Sequence, residues 1–545
     1  MKTKYIIMPA VLCSLMVVGC QDMDTVPEGS YLTDKQKEEV AAMQPEKAQA
    51  QVNAVFASFS QYFPNASALG TERHNDFGYP TIMLAMGTNG DTEVSDNNGY
   101  NWMGYSIDYT DHSDYSSNEC QMVWNDLYAI IYAANNVVKN IDADSDDANN
   151  KYYLSQGYAA RGFAYWVLAQ LYQFNYVGNQ TKPCVPLITE ANVEDATVNG
   201  CPVSTVEAVY KQIDSDLQKA VDLLKEAKEG KVTRSDKRYI SLAVAYGLQA
   251  RMYLSMQNWA AAAAAADNAI KEAAAEKISI ASVTKPAFSS VDEVNWMWGI
   301  IVNETDAIVD SGICNWPSHM GSLSYGYANF SGGRQISRKL YTKIQDTDER
   351  KRWWLDATGA PFNDNEADYL TSEAIAFIAE NSYKPYTQMK FGPYNDVVGT
   401  AINANDIPLM RIEEMYLIKA EATGMNGGNW SAGKTELISF IKNHDPNYNP
   451  TSVTNVETFQ EEVYTQRAIE LWGEGMNWFD VMRMNRGVDR TGCGFPNPSS
   501  VVVIPPTENI LLWRIPEAEI QANKALSNDD SPAPTRTYQS YIVSE

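Results

Sequence analysis

From Ser204 onward the apolar residues Val206, Val209, Ile213, Leu217, Ala220, Val221 and Leu224 recur at steps of three and four. That spacing predicts an amphipathic helix, and Ser204 with Glu207 reads as its capping box. The pattern returns from Ile240 to Leu254, breaks at Gln257-Asn258, and resumes in the alanine-rich run Trp259 to Ala275. Two antiparallel helices are expected there, because small side chains let helices pack closely. A second hairpin is expected from Ile407 to Ala422 and from Trp430 to Lys442, turned by Gly427-Gly428. Asn258-Trp259-Ala260-Ala261 and Asn429-Trp430-Ser431-Ala432 occupy the same point of each. In a third candidate first helix, Tyr152 to Tyr172, Ala160-Arg161 is echoed by Ala250-Arg251. Trp259 and Trp430 therefore read as packing residues.

Two long stretches break this helical rhythm. Phe77 to Ser117 and Phe288 to Gly333 are rich in Gly, Asn, Ser, Tyr and Trp and show little helical period. Loops of that length in a folded domain are functional or disordered, and their aromatic content argues for function. Asn97-Asn98-Gly99-Tyr100-Asn101-Trp102-Met103-Gly104-Tyr105 alternates rings with short polar side chains, as do Asn315-Trp316 and Ser322-Leu323-Ser324-Tyr325-Gly326-Tyr327-Ala328-Asn329-Phe330. A pyranose has an apolar C–H face and a hydroxyl rim, so flat rings beside adaptable hydrogen-bonding groups suit it. Trp102, Tyr105, Trp316, Tyr325 and Tyr327 are the candidate stacking residues; Arg73, Asn75, Asp76, Asp91 and Asn101 are the candidate hydrogen-bonding residues.

The N-terminus changes the setting. Lys2 and Lys4 precede the apolar run Tyr5 to Val18, too short for a permanent membrane span, which reads as an export signal. Val17-Val18-Gly19-Cys20 resembles a bacterial lipobox, in which the cysteine is acylated and becomes the mature N-terminus. Acyl chains contribute on the order of 0.8 kcal/mol per buried methylene, enough for a stable anchor when several are present. The following Gln21-Asp22-Met23-Asp24 resembles the surface-export signal of Bacteroidetes lipoproteins, and Thr25 to about Pro45 reads as a polar tether.

Charge and composition narrow the function classes. A formal charge of -26 and a pI near 4.6 disfavour nucleic acid as a partner. His74, His112, His319 and His444 lie far apart with no HExxH or CxxC nearby, and Asp142, Asp144 and Asp146 mimic an EF-hand start without its glycine or final glutamate; no cofactor or metal is expected. Cys184 and Cys201 could close a short loop in an oxidising compartment, although isolated buried thiols are the commoner arrangement. A glycoside hydrolase would draw its two carboxylates from Asp76, Asp91, Glu93 and Asp96. A helical adaptor binding only proteins is the other alternative.

Three ordered segments carry a family resemblance. Asp406 to Ala422, Gln466 to Arg483 (QRAIELWGEGMNWFDVMR) and Leu512 to Asn523 (LWRIPEAEIQAN) resemble the motifs of the SusD/RagB nutrient-binding lipoproteins, with Gln466 standing where the family often has an acidic residue. The hairpins resemble tetratricopeptide units, spaced too irregularly for a regular solenoid. The resemblance implies a mainly α, SusD-like fold with long irregular ligand-binding loops. Residues 1–19 would be the signal and 20–45 the lipidated tether. A single domain, 46–545, would combine a hairpin scaffold (about 46–280 and 400–486), a loop-rich insertion (about 281–399) and a C-terminal wrap (about 487–545). It also implies a non-catalytic, surface-exposed outer-membrane lipoprotein that binds oligosaccharide and serves a SusC-type TonB-dependent transporter. Within the second motif, Arg467, Glu470, Glu474, Asp480 and Arg483 flank an apolar stripe and are expected to form buried charge pairs that lock helices.

Overall fold

The helical periodicity becomes a stack of antiparallel hairpins. A computed structural model describes residues 45–96, 100–362 and 369–544; Cys20 and the expected tether before Pro45 lie outside them. In chain order the scaffold helices are α1 (Pro45–Ala57), α2 (Tyr79–Asn89), α3 (Asn118–Asn140), α4 (Ala148–Tyr172), α5 (Val206–Glu229), α6 (Leu242–Ser255), α7 (Trp259–Ala275), α8 (Ile412–Met425), α9 (Trp430–Ile441), α10 (Val456–Glu470) and α11 (Asn477–Arg483). Helix α4 packs between α3 and α5, α6 on α7, and α8 on α9, while α7 lies against α8 and so joins the two halves of the scaffold. Strands among the described residues form two-stranded ribbons, so the fold is mainly α. The largest apolar core runs from Ala48 to Tyr541, and a smaller one, with Leu417, Leu437, Phe440 and Phe459, lies among α8, α9 and α10.

The structure corrects the sequence expectations at three places. The cap of α5 is Thr205 and not Ser204: the Thr205 hydroxyl accepts from the Ala208 N–H at 3.2 Å, and the helix begins at Val206. Glu207 bonds the Tyr176 hydroxyl instead of closing a capping box. Residues Ile407–Arg411 are a strand paired antiparallel with Trp296–Ile300, and not the first turns of a helix, which begins at Ile412. Finally, Tyr79–Asn89 is helical although it shows no helical period: each of its residues is buried, and a helix covered all round has no polar face to betray it. Cys184 and Cys201 are both free, buried thiols.

The charges expected to pair do so inside the core. Arg411, at the end of its strand, donates to Glu474 at 2.8 and 2.9 Å and to Glu470 at 3.0 Å, and its guanidinium stands 4.8 Å from the Phe288 ring. Lys390 reaches Glu474 at 2.6 Å, and Arg350 joins Glu470 at 3.1 Å to Asp348 at 2.7 Å. Next to this, Asp480 bridges Arg467 and Arg483, each at 2.8 Å, and Arg483 continues to Glu421 on α8 at 2.6 Å. The echoed arginines follow the same rule: Arg161 of α4 pairs with Asp216 of α5 at 2.7 Å, and Arg251 of α6 with Glu414 of α8 at 2.6 Å. Each ties its hairpin to the next.

Removing one member of a fully buried pair strands its partner's charge, which costs about 3–5 kcal/mol. Arg411→Ala is expected to lower unfolding stability by about that range in a urea titration, since it leaves Glu413, 2.9 Å from the guanidinium, without its ion-pair partner and leaves Glu470 and Glu474 to Arg350 and Lys390 alone. Acid acts on the same network. Burial alone would raise the Glu470 pKa, but Arg411, His444, Arg350 and Lys390 outweigh it and hold the carboxyl at about 2, against 4.5 ordinarily. The folded state thus binds fewer protons than the unfolded chain, and the stabilisation, present above pH 4.5, is lost as pH falls toward 2. Urea midpoints measured between pH 5 and 2 should decline through that window.

Candidate functional site

The two aromatic loops meet through a short ribbon. Strand β1 (Glu93–Val94) pairs antiparallel with β2 (Gln335–Ile336), placing Glu93 opposite Ile336. Beside it, Arg334 and Glu93 form a buried ion pair at 2.7 Å, and the Trp472 indole N–H donates to the Thr92 carbonyl at 3.0 Å. The irregular chain is thereby pinned to the charged core at both ends of the contact. Gly326 allows the closest approach, for a Cβ there would stand 2.6 Å from Ser318 Cα.

What gathers on this base is a shelf of rings. His74 stacks on Trp102 with centroids 4.8 Å apart and bonds the Tyr327 hydroxyl through Nδ1. On its other side lies Phe63 at 6.3 Å, itself stacked on Tyr62 at 4.1 Å. The Arg73 guanidinium lies 5.2 Å from the Trp102 ring and 5.7 Å from Tyr105, and is ion-paired with Glu119 of α3. Tyr62 and Tyr105 are 42% and 49% exposed. A second cluster, Tyr325, Phe330 and Tyr100, follows within the same two loops, with successive centroids 5.8 and 5.4 Å apart and all three rings exposed. Tyr62 also borders a 270 Å³ cleft lined by Asn53, Phe56, Arg238, Asp306 and Ile308.

Both histidines are neutral at neutral pH. Burial lowers His74 below its usual value, and burial with the nearby Arg334 charge takes His319 to about 3. His319 Nε2–H donates to the His74 carbonyl at 3.1 Å, which fixes the backbone under the stack.

Of the residues expected from sequence, Trp102, Tyr105, Tyr327 and Arg73 come together in the first cluster and Tyr325 in the second. Trp316 does not belong to either. It is 1% exposed, begins a short helix, and packs edge-on against Phe391 at 4.9 Å, so its ring has no free face for a ligand. Asp76 is buried and accepts from Asn65; Asn75, also buried, donates to the Trp102 carbonyl and to Glu119, each at 3.4 Å. Asn101 donates to the Asp96 carbonyl at 2.6 Å and accepts from the Met103 N–H at 3.0 Å. These three shape the loops from beneath. Asp91 keeps other company: burial raises its carboxyl, and the charges opposing that are Arg486, Arg490 and Lys339. Tyr62, Phe63, His74 and Glu119 were not anticipated. The adjacent rings of Tyr62-Phe63, in an otherwise polar stretch, were the available signal.

Known proteins share this architecture. Residues 48–254 match a family described as SusD-like, starch-binding and associating with the outer membrane, and residues 317–531 match the SusD family. SusD-like protein P2 of Formosa agariphila is 23% identical over 498 residues, covering 88% of this chain and 90% of its own. A SusD-like carbohydrate binding protein from Bacteroides vulgatus superposes with a TM-score of 0.72 at 23% identity, over 90% of this chain and 98% of that one. A laminarin binding SusD-like protein superposes with a TM-score of 0.58 at 18% identity, over 88% and 98%.

Burial separates the two tryptophans experimentally. Trp316→Ala should cost about 3–5 kcal/mol of stability through the cavity it leaves, and half-exposed Trp102→Ala less than half of that, when both are compared by urea denaturation.

Proposed function

Because the chain belongs to the SusD family, we propose that it is a cell-surface receptor that captures oligosaccharides on this aromatic shelf and passes them to a SusC-type TonB-dependent transporter. Acylation of Cys20 would hold it on the outer membrane. The observation that carries the reading is the pair of ring clusters on loops anchored to a rigid core: Tyr62, Tyr105, Tyr325, Tyr100 and Phe330 are left exposed where apolar area is ordinarily covered. Flat rings accept the C–H faces of successive sugars, and preorganised loops spare the ligand the entropy of ordering them.

The reading is of a receptor and not a hydrolase. Glu119, the carboxylate beneath the rings, is engaged by Arg73 and Asn75, which fixes side chains in place instead of leaving an acid free to protonate a leaving group. The charges around the shelf favour neutral sugars. Arg73 is neutralised by Glu119, Lys384 by Asp96 at 2.8 Å, and His74 is uncharged, while Glu72 adds a negative field at His74 and Tyr62. A sulfated or uronate chain would have to displace an existing ion pair to find a cation.

Isothermal titration against neutral glycans, laminarin among them, and against sulfated glycans tests this. Binding of a neutral glycan without release of reducing sugar is expected, weakened about tenfold or more, equivalent to about 1.4 kcal/mol, by Trp102→Ala with Tyr105→Ala. Release of reducing sugar, or unchanged affinity in the double variant, overturns the reading. Cys20→Ala should free the protein from the membrane fraction of intact cells.

A further inference from the structure

Beneath the shelf lies a pair of acids with no cation between them among the described residues. Asn65, buried at the foot of the loop that carries Tyr62, Phe63, Arg73 and His74, donates through its side-chain nitrogen to Asp76 Oδ1 at 2.9 Å and to Asp126 Oδ1 of α3 at 2.8 Å. Its backbone N–H donates to Asp76 Oδ2, also at 2.9 Å. One nitrogen thus serves two carboxylates, whose accepting oxygens lie within about 6 Å of each other by that geometry. Asp126 Oδ2 is buried with no hydrogen-bond partner among the described residues. The charged group facing Asp126 is Asp76, and the polar group facing Asp76 is Asn65; Glu119, further along α3, is already taken by Arg73.

Two buried carboxylates this close, without a compensating cation, do not both stay charged. A metal ion fits poorly between them, since Asn65 presents N–H hydrogens and not lone pairs to both. The remaining partner is a proton, and the unpartnered Asp126 Oδ2 is its place: a neutral hydroxyl there costs less than an uncompensated charge. The loop above depends on this contact. Phe63 holds a left-handed backbone, φ 48°, which a bulky side chain keeps only where its surroundings impose it, and its N–H donates to the Asp76 carbonyl at 3.1 Å.

We propose that Asn65, Asp76 and Asp126 are positioning residues, a clamp that shares one proton between its two carboxylates and so fixes the Tyr62–Asp76 loop against α3; its bearing on ligand capture rests on the shelf being the binding surface. With the proton on Asp126, Asp76 alone is charged and receives both Asn65 donors. When the proton leaves to solvent base, like charges face each other in a medium that screens them weakly, and the clamp loosens. Burial, reinforced by the Asp76 charge, pushes Asp126 up to about 8, so the change falls just above neutral pH. The sign follows from linkage: the folded pKa is raised, so the folded protein is favoured at low pH and loses that advantage as pH rises to about 8, beyond which it is constant.

Hydrogen exchange read by mass spectrometry over residues 58–78, corrected for intrinsic exchange rates, tests this on the full chain without any ligand. Protection there should fall severalfold between pH 6.5 and 9.5 in the wild type, while α7 is unchanged. Asp126→Asn, which keeps the oxygen that Asn65 bonds and mimics the protonated acid, should hold the pH 6.5 protection throughout. Equal protection of 58–78 at both pH values in the wild type overturns the proposal, as does the same pH response in Asp126→Asn. Should that variant fail to fold, Asp76→Asn and the wild-type comparison still decide. Since no glycan enters the measurement, this outcome is separable from that of the binding experiment.

Discussion

Everything in this molecule leans on charge buried deliberately among helices. Arg411, Lys390 and Arg350 face Glu470 and Glu474 deep in the core, and their donors go to these glutamates, to backbone carbonyls and, for Arg350, to Asp348 and Gln466 as well. Such a cluster contributes modestly to net stability, because desolvation opposes the Coulomb attraction, but it tolerates very few arrangements. An apolar core accepts sliding; an arginine that must meet two glutamates at once does not. The network therefore fixes where α8, α10 and the strand before α8 stand relative to one another, and the loop-rich region, through Lys390 and Arg350, is fixed with them.

That rigidity explains how long irregular loops can hold a cluster of rings in place. The ribbon between Glu93–Val94 and Gln335–Ile336 joins two loops that are far apart in sequence, and the Arg334–Glu93 pair seals it. Under the rings, Asn75, Asn101 and Asp76 satisfy the backbone and hold each turn. The polar residues of the loops are mostly structural, and the rings they hold up are the part that faces outward. On the proposed reading, rings whose positions are set before a ligand arrives would lose little entropy on binding it.

The hairpins were legible because an amphipathic helix writes its period into the sequence: α6 and α7 fall within two residues of their expected limits, and the echoed Ala-Arg pairs do tie successive hairpins together. That the charges of the Gln466–Arg483 segment would be buried in pairs was legible too, since they are interleaved with a stripe of Ile469, Trp472 and Phe479; their partners Arg411, Lys390, Arg350 and Glu421 come from elsewhere in the chain. Helix α2 was not, because a helix buried on every side carries no polar rhythm. Trp316 was misjudged for a related reason. A tryptophan between Asn315 and Pro317 has the same neighbours in the chain whether its ring faces water or Phe391.

By itself the sequence determined the family resemblance, the mainly helical scaffold and the kinds of side chain its loops carry, because those properties reside in local pattern and composition. Tertiary structure alone decided which rings are free and which are packed, that His74 and Phe63 join the stack, and that Asp126, fifty residues along the chain from Asp76, shares an amide with it. The physical reason is distance: burial and electrostatic coupling depend on what the folded chain brings within a few ångströms, and residues in contact here lie hundreds of positions apart, 253 for His74 and Tyr327.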